Sequence, residues 1–86
     1  MVVGGRVING RIDAVFDIDG RFDVVDWKTG STARVDPRQL AVYRLAWARM
    51  QGVDWRNVDA AFVMVATGEE LRPDTDSEVQ DLLALN

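Results

Sequence analysis

Two aspartates and a lysine, Asp13, Asp26 and Lys28, are the residues of this sequence whose types and spacing suit a small charged site. Two carboxylates that face each other are destabilising unless something neutralises them, and a divalent cation is the obvious candidate. Mg²⁺ prefers oxygen ligands and keeps several of its waters, so a pair of carboxylates leaves room for water and substrate. The three residues therefore indicate a divalent-cation site with a basic group beside it.

A β-hairpin is the element that must bring these residues together. Two runs of β-forming residues, 11–18 and 21–28, flank Asp19-Gly20. An Asp-Gly pair between such runs predicts a two-residue turn, because both central positions of that turn need a positive φ. The first strand is expected to cover residues 6–18, after a tight turn at Gly4-Gly5 that follows the end of an earlier strand.

The register of the hairpin decides whether the charged residues meet. A two-residue turn places Asp13 opposite Asp26 and Arg11 opposite Lys28, and the alternation of side chains along a strand puts all four on one face. A three-residue loop would instead make the two aspartates diagonal. The prediction of a shared site therefore depends on the turn.

Composition narrows the chemistry further. The 86 residues suffice for one small domain, and they include no cysteine and no histidine, which excludes disulfides, thiolate zinc sites and histidine acid–base catalysis. No apolar run reaches the roughly 20 residues that a membrane helix needs, and no signal peptide is visible. The net charge of −4 argues against a free-standing nucleic-acid binder, unless other domains or a metal supply the positive field.

Helix signals and one buried strand account for the rest of the chain. Asp36-Pro37 predicts the start of a helix that ends at Gly52. The unbroken apolar run 60–66 fits a strand buried on both faces, so a crossover helix to a parallel neighbour is predicted. Residues 69–72 fit a short edge strand, and a capping-box pattern over residues 75–78 predicts a terminal helix.

Taken one at a time, these residues have ordinary structural explanations. Charged residues mostly sit at the surface, and this solvating role is the interpretation for Asp17, Asp19 and Asp23. The aromatic side chains Trp27 and Trp47 are most simply part of the core.

Taken together, the residues indicate a function more specifically, because their order, their spacing and the elements predicted to carry them all match one set of family motifs. Three segments resemble the second, third and fourth motifs of the PD-(D/E)XK nuclease superfamily, namely Gly10-Arg11-Ile12-Asp13, Val24-Val25-Asp26-Trp27-Lys28-Thr29-Gly30 and Gln39-Leu40-Ala41-Val42-Tyr43. Within that superfamily they are most similar to the RecB-like nuclease domain at the C-terminal end of helicase–nuclease subunits.

The resemblance implies a fold of the α/β (α+β) class, a mixed sheet with flanking helices around a restriction-endonuclease-like core. Residues 1–86 would form a single truncated domain in which the N-terminal helix of that core is missing. The implied activity is exonuclease-type hydrolysis of DNA phosphodiester bonds with Mg²⁺ or Mn²⁺, in a cytoplasmic ATP-dependent helicase–nuclease of DNA recombination and repair. Its implied partners are DNA and helicase domains of the same or a partner chain, with no membrane.

The resemblance also assigns roles by position. Asp13 and Asp26 look like metal-binding carboxylates, and the backbone carbonyl of Trp27 is similar to the third protein ligand of the family. Lys28 resembles the catalytic lysine. A metal there would polarise a bound water toward hydroxide, and the lysine could hold that water or stabilise the charge that develops on the phosphate.

Gln39 and Tyr43 match the family's QxxxY motif, which contacts DNA and braces the site, and their spacing puts them on one helix face. Family members carry a further acidic residue or histidine on a helix before the first strand; either that helix lies outside these residues or the site is incomplete. No Gly-Lys-Ser/Thr loop is present, so an ATP-driven partner would lie elsewhere. The alternative function is a catalytically silent module for DNA-end handling or protein–protein contact.

Overall fold

Four strands precede the first described helix in the computed structural model, which describes residues 2–3, 6–7, 12–29 and 35–85. In order the elements are β1 (Val2–Val3), β2 (Arg6–Val7), β3 (Ala14–Ile18), β4 (Arg21–Lys28), α1 (Pro37–Gln51), a 3₁₀ turn (Trp55–Asn57), β5 (Val58–Met64), β6 (Glu69–Leu71) and α2 (Asp76–Ala84). Four strands form one sheet in the order β3-β4-β5-β6, in which only the pair β4-β5 is parallel. The predicted α+β fold with a mixed sheet is confirmed.

The hairpin of β3 and β4 closes through the predicted two-residue turn. Ile18 pairs with Arg21, and the turn residues Asp19 and Gly20 have φ values of 52° and 84°. These positive values are what a tight primed turn requires, and its twist matches that of the flanking strands. The Asp17 carboxylate also accepts a hydrogen bond from the Gly20 N–H at 3.2 Å. The three-residue loop is therefore excluded.

The predicted single strand over residues 6–18 is wrong in its extent. Arg6–Val7 pairs instead with Val2–Val3 in a separate two-stranded ladder, and the sheet strand begins only at Ala14. Within that sheet strand, Val15 faces the helices and packs on the core, while Phe16 is exposed on the other side. The Gly4-Gly5 pair and residues 8–11 lie outside the described part of the chain.

Helix α1 connects β4 to its parallel neighbour β5, as the crossover pattern predicts. The Asp36 carboxylate caps the helix by accepting a hydrogen bond from the Arg38 N–H at 3.0 Å, and Gly52 ends it with a φ of 68°. The helix covers one face of the sheet and forms the main core with β4, β5 and α2. The fully buried large side chains of this core are Leu40, Tyr43, Val24, Val58, Phe62 and Val79. Neither described helix is both long and apolar enough to cross a bilayer.

A buried arginine joins the two helices. Arg44 donates hydrogen bonds to Thr75 Oγ1 at 2.9 Å and Asp76 Oδ1 at 2.8 Å, and it also bonds the carbonyl of Val58. The predicted capping box is wrong: the side chain of Thr75 makes no cap hydrogen bond to the start of α2, and its hydroxyl accepts a hydrogen bond from Arg44. The predicted terminal helix itself is present.

Candidate active site

Strand β4 carries Asp26 and Lys28 on the face that α1 covers. Alternate residues of a strand share a face, so both side chains point toward the helices together with Val24 of the core. Asp26 is only 5% exposed, and its Oδ2 lies 3.2 Å from Lys28 Nζ. Lys28 is the last residue of the strand and its side chain is 20% exposed. The pair therefore lies at the end of the sheet, where solvent reaches the lysine.

Asp13, the residue that precedes β3, lies at the same end of the sheet. The regular ladder ends at the pair Ala14–Val25, and the Asp13 N–H donates to the Val25 carbonyl at 3.2 Å. The Asp13 carboxylate accepts a hydrogen bond from the backbone N–H of Trp27 at 2.8 Å. This N–H belongs to the peptide that joins Asp26 to Trp27, so the Asp13 carboxylate lies beside Asp26 and raises the pKa of that carboxyl by hydrogen bonding and by its like charge. The three charged residues singled out in the sequence thus converge.

Burial dominates the electrostatics of Asp26. Loss of solvation raises the pKa of this carboxyl above its ordinary value, Lys28 opposes the rise, and Asp13 adds to it. The 3.2 Å separation of Asp26 Oδ2 and Lys28 Nζ makes an ion pair. Apart from this ion pair, Oδ2 is buried without a hydrogen-bond partner among the described groups. The Lys28 ammonium balances the charge of this oxygen, and a metal bound to Oδ2 would supply the coordination that no described hydrogen bond provides.

The first turns of α1 supply two further polar groups. Lys28 Nζ donates to Gln39 Oε1 at 3.1 Å, and Gln39 Nε2 donates to the hydroxyl of Tyr43 at 2.9 Å. Because Tyr43 is fully buried in the core, its hydroxyl is a fixed anchor for the glutamine. The structure thus places the two residues of the predicted QxxxY pair in a chain of contacts that leads to the lysine.

Phe62 is a neighbour of the site that sequence reasoning missed. It pairs with Asp26 across the parallel strands β4 and β5, and Lys28 Nζ lies 5.2 Å from the centre of its ring. In the sequence Phe62 is one member of the apolar run 60–66, which marks a buried strand but does not distinguish its members. Only the pairing of β5 with β4 reveals the contact.

The side chain of Trp27 lies on the opposite face of the sheet. It is 52% exposed, so the prediction of a core position is wrong; its neighbours on β4 point toward the helices, and alternation turns Trp27 away. Its backbone stays at the site through the hydrogen bond to Asp13. Trp47, by contrast, packs edge-on against Phe22 with 5.8 Å between ring centres, as a core residue should.

The oxygen donors at this place fit a hard divalent cation. The side chains of Asp13 and Asp26 supply two carboxylates, one of which has the unsatisfied Oδ2. No cluster of three or more Asp, Glu, His or Cys side chains occurs in the described ranges. Mg²⁺ takes oxygen ligands and commonly needs only one or two carboxylates, because it keeps several waters. The donor set is therefore suitable for Mg²⁺ or Mn²⁺, with open positions.

Comparison with known proteins relates the chain to one enzyme family. The family model of the PD-(D/E)XK nuclease superfamily matches residues 1–85. The Gene 69 protein of Mycobacterium phage D29 is 38% identical over 69 residues, which cover 80% of this chain and 25% of that protein. The matched stretch is thus about a quarter of the length of that relative. No solved structure matches the chain.

Proposed function

We propose, from the premise that the chain belongs to the PD-(D/E)XK nuclease superfamily, that it hydrolyses phosphodiester bonds of DNA with Mg²⁺ or Mn²⁺. The observation that carries the proposal is the buried Asp26 carboxylate, whose Oδ2 has no described hydrogen-bond partner and lies beside Asp13 and Lys28. A purely structural aspartate would be expected to use its buried oxygens in hydrogen bonds.

Asp13, Asp26 and the backbone carbonyl of Trp27 would hold the metal in this proposal. The hydrogen bond from the Trp27 N–H fixes the Asp13 carboxylate at 2.8 Å, so the position of one carboxylate is tied to the strand that carries the other. A bound divalent cation supplies an activated water and neutralises charge on the phosphate. The protein's own contribution is to keep the two carboxylates close together in spite of their repulsion.

Lys28 is the proposed catalytic lysine. An ammonium has three N–H donors, and the described contacts of Lys28 Nζ are Gln39 Oε1 at 3.1 Å, Asp26 Oδ2 at 3.2 Å and the ring of Phe62, whose centre is 5.2 Å away. The N–H directed toward Asp26 would become available to the attacking water or a phosphate oxygen when that carboxylate binds a metal. Charge placed where negative charge develops in the transition state is among the largest contributions to catalysis.

Gln39 and Tyr43 act in this proposal as the residues that hold Lys28. The bond from Gln39 Nε2 to the Tyr43 hydroxyl fixes the orientation of the amide, so that Oε1 faces Lys28. Because Lys28 is otherwise a long and flexible side chain, this bracing reduces the entropy lost when it meets the substrate. Contact of Gln39 with DNA is the further role that its position beside the open end of the site suggests.

We propose a RecB-like domain of an ATP-dependent helicase–nuclease as the wider setting, with a cytoplasmic role in DNA recombination and repair. In that setting residues 1–86 belong to one nuclease domain, and helicase domains of the same or a partner chain deliver the DNA. The net charge of −4 supports a role for other domains, since a DNA-binding surface needs positive charge. The much greater length of the phage relative is in keeping with a longer protein.

A catalytically silent module for DNA-end handling or protein–protein contact is the second candidate. The observation that favours it is the donor set, since the described residues hold no cluster of three acidic or other metal-ligating side chains. Both candidates predict the same fold. They differ in whether DNA is cleaved when metal is supplied.

Metal-dependent cleavage of labelled DNA, measured for wild type, Asp13→Asn and Asp26→Asn, tests the proposal. Both variants should lose cleavage with Mg²⁺ and with Mn²⁺. Asp19→Asn is the matched control, because it makes the same chemical change on the same hairpin and Asn-Gly suits the turn as well as Asp-Gly does. Cleavage by Asp26→Asn at the rate of the control would contradict the proposed metal site.

A further inference from the structure

We infer that Phe62 is a positioning residue for Lys28, whose ring keeps the ammonium at the site when a cation occupies Asp26. The inference rests on the proposed function, and it adds a residue that lies outside the sequence motifs. Phe62 lies within β5, opposite Asp26 in the ladder. Its ring centre is 5.2 Å from Lys28 Nζ, within the range of about 6 Å over which a cation interacts with an aromatic face.

Lys28 has three described partners, and they respond differently to a bound metal. The Asp26 carboxylate, 3.2 Å away, is the only one of the three with a full negative charge. A divalent cation that binds this carboxylate takes over much of its charge and also repels the ammonium. The contact that holds Lys28 in the metal-free protein is therefore the contact that metal weakens.

The ring of Phe62 is a partner that the metal does not compete for. Mg²⁺ is a hard cation that selects oxygen ligands, whereas the negative face of an aromatic ring attracts an ammonium readily. Gln39 offers the second metal-independent contact, through its Oε1 at 3.1 Å. Together the amide and the ring would hold Lys28 between α1 and β5 when Asp26 serves as a metal ligand.

The ring of Phe62 is itself held firmly enough for this task. The side chain is 1% exposed and belongs to the main core, where close packing leaves little freedom for a ring of this size. Lys28, in contrast, stands at the open end of its strand. A fixed apolar wall beside a partly exposed charged side chain is the arrangement that a positioning residue requires.

Phe62→Met and Phe62→Tyr separate this role from simple core filling. Methionine nearly conserves the volume but removes the ring, whereas tyrosine keeps the ring. Phe22→Met is the matched control, because Phe22 is another ring on the helix-facing side of the same sheet and packs against Trp47. Lys28→Met completes a double-mutant cycle with Phe62→Met, since it removes the charge and keeps most of the stem.

The first readout is the proton chemical shift of the Lys28 ε-methylene group, measured by NMR with EDTA and with saturating Mg²⁺, in the absence of DNA. Ring current should displace this signal in wild type and in Phe62→Tyr, in both conditions, and the displacement should disappear in Phe62→Met. The second readout is urea unfolding, in which the cycle should show a coupling of about five-fold in the folding equilibrium constant. The third is cleavage, in which Phe62→Met should lower kcat about ten-fold with little change in KM, and Phe62→Tyr should restore it.

The outcomes are distinguishable from those of the proposed function. If Phe62→Met moves the Lys28 signal no more than Phe22→Met does, or the cycle shows no coupling, the inference is overturned. A variant Phe62→Met that cleaves with wild-type kcat also overturns it. If wild type fails to cleave DNA at all, the proposed function fails and the positioning role fails with it, while the spectra and the cycle still report whether the ring holds Lys28.

Discussion

Replacing Asp26 by asparagine should stabilise the metal-free protein at neutral pH and remove its response to divalent cations. Burial raises the pKa of Asp26 above the ordinary value, and Asp13 adds to the rise. Because the pKa of Asp26 is higher in the folded protein, the protonated carboxyl contributes stability to the fold. This contribution is complete below the pKa of the unfolded chain, about 4, and it is lost as the pH rises through the pKa of the folded protein. The ionised carboxylate therefore destabilises the metal-free protein at pH 7.

The magnitude follows from two opposing contributions. Relief of a buried, unsatisfied charged oxygen is worth about 1–3 kcal/mol. Loss of the ion pair with Lys28 costs about 1 kcal/mol, because the lysine side chain is 20% exposed and keeps its contacts with Gln39 and Phe62. The net expectation is a gain of about 1 kcal/mol in the free energy of unfolding. For a domain of this size that corresponds to a rise in Tm of about 4–8 °C.

Thermal and urea unfolding between pH 4 and pH 8 measure the change in stability and the response to metal. Each protein is unfolded with EDTA and with 10 mM Mg²⁺, which is about a ten-fold excess over a weak Kd. Wild type should gain about 1.4 kcal/mol from the metal, because ligands that bind only the folded state stabilise it by mass action. Asp26→Asn should gain almost nothing from metal and should lose the pH dependence of this carboxyl. The reasoning is refuted if Asp26→Asn is less stable than wild type in EDTA at pH 7, or if both proteins respond equally to Mg²⁺. Asp19→Asn should behave as wild type.

Three further predictions test other parts of the account. Gln39→Leu should lower kcat by about ten-fold or more, with a smaller effect on DNA affinity, since it frees Lys28 without removing it; unchanged kcat in steady-state cleavage assays would contradict the bracing role. Arg44→Met should reduce the free energy of urea unfolding by about 3 kcal/mol, because it leaves the buried Val58 carbonyl and Thr75 hydroxyl without their partner. A loss below about 1 kcal/mol would show that the arginine contributes little to stability. Trp27→Gln should leave metal-dependent stabilisation, measured by the shift in Tm, at the wild-type level, because only the backbone of this residue lies at the site; loss of that shift would implicate the side chain.

The parts of the structure that could be predicted from the sequence depend on contacts between residues that are close in sequence. The Asp19-Gly20 pair determines the turn and, through it, the pairing from Ile18–Arg21 to Ala14–Val25. The start of α1 at Asp36 is equally local, because the cap bonds only to the next turn of the chain. These features depend on interactions between residues close in sequence, and the convergence of the two aspartates follows from them.

The parts that could not be predicted depend on contacts between distant segments. Phe62 becomes a neighbour of Lys28 only because β5 pairs in parallel with β4. At Thr75 the capping pattern gives no cap hydrogen bond, and the hydroxyl contacts Arg44, which is 31 residues away in sequence. Trp27 looks like a core residue by type, yet its exposure depends on which face of the sheet the helices cover. No local pattern encodes such partners.

Cleavage of labelled DNA by the full-length protein, with wild type compared with Lys28→Ala, tests the central claim most directly. Wild type should cleave only when Mg²⁺ or Mn²⁺ is present. Lys28→Ala should lose about 10²-fold or more in kcat, while its DNA affinity stays close to wild type, because the charge acts mainly on the transition state. Its Tm should fall because the ion pair with Asp26 is lost, so cleavage is measured at a temperature at which both proteins are folded. Cleavage by Lys28→Ala at the wild-type rate, or a wild type that cleaves with neither metal, would contradict the claim, and the second result would favour the catalytically silent module.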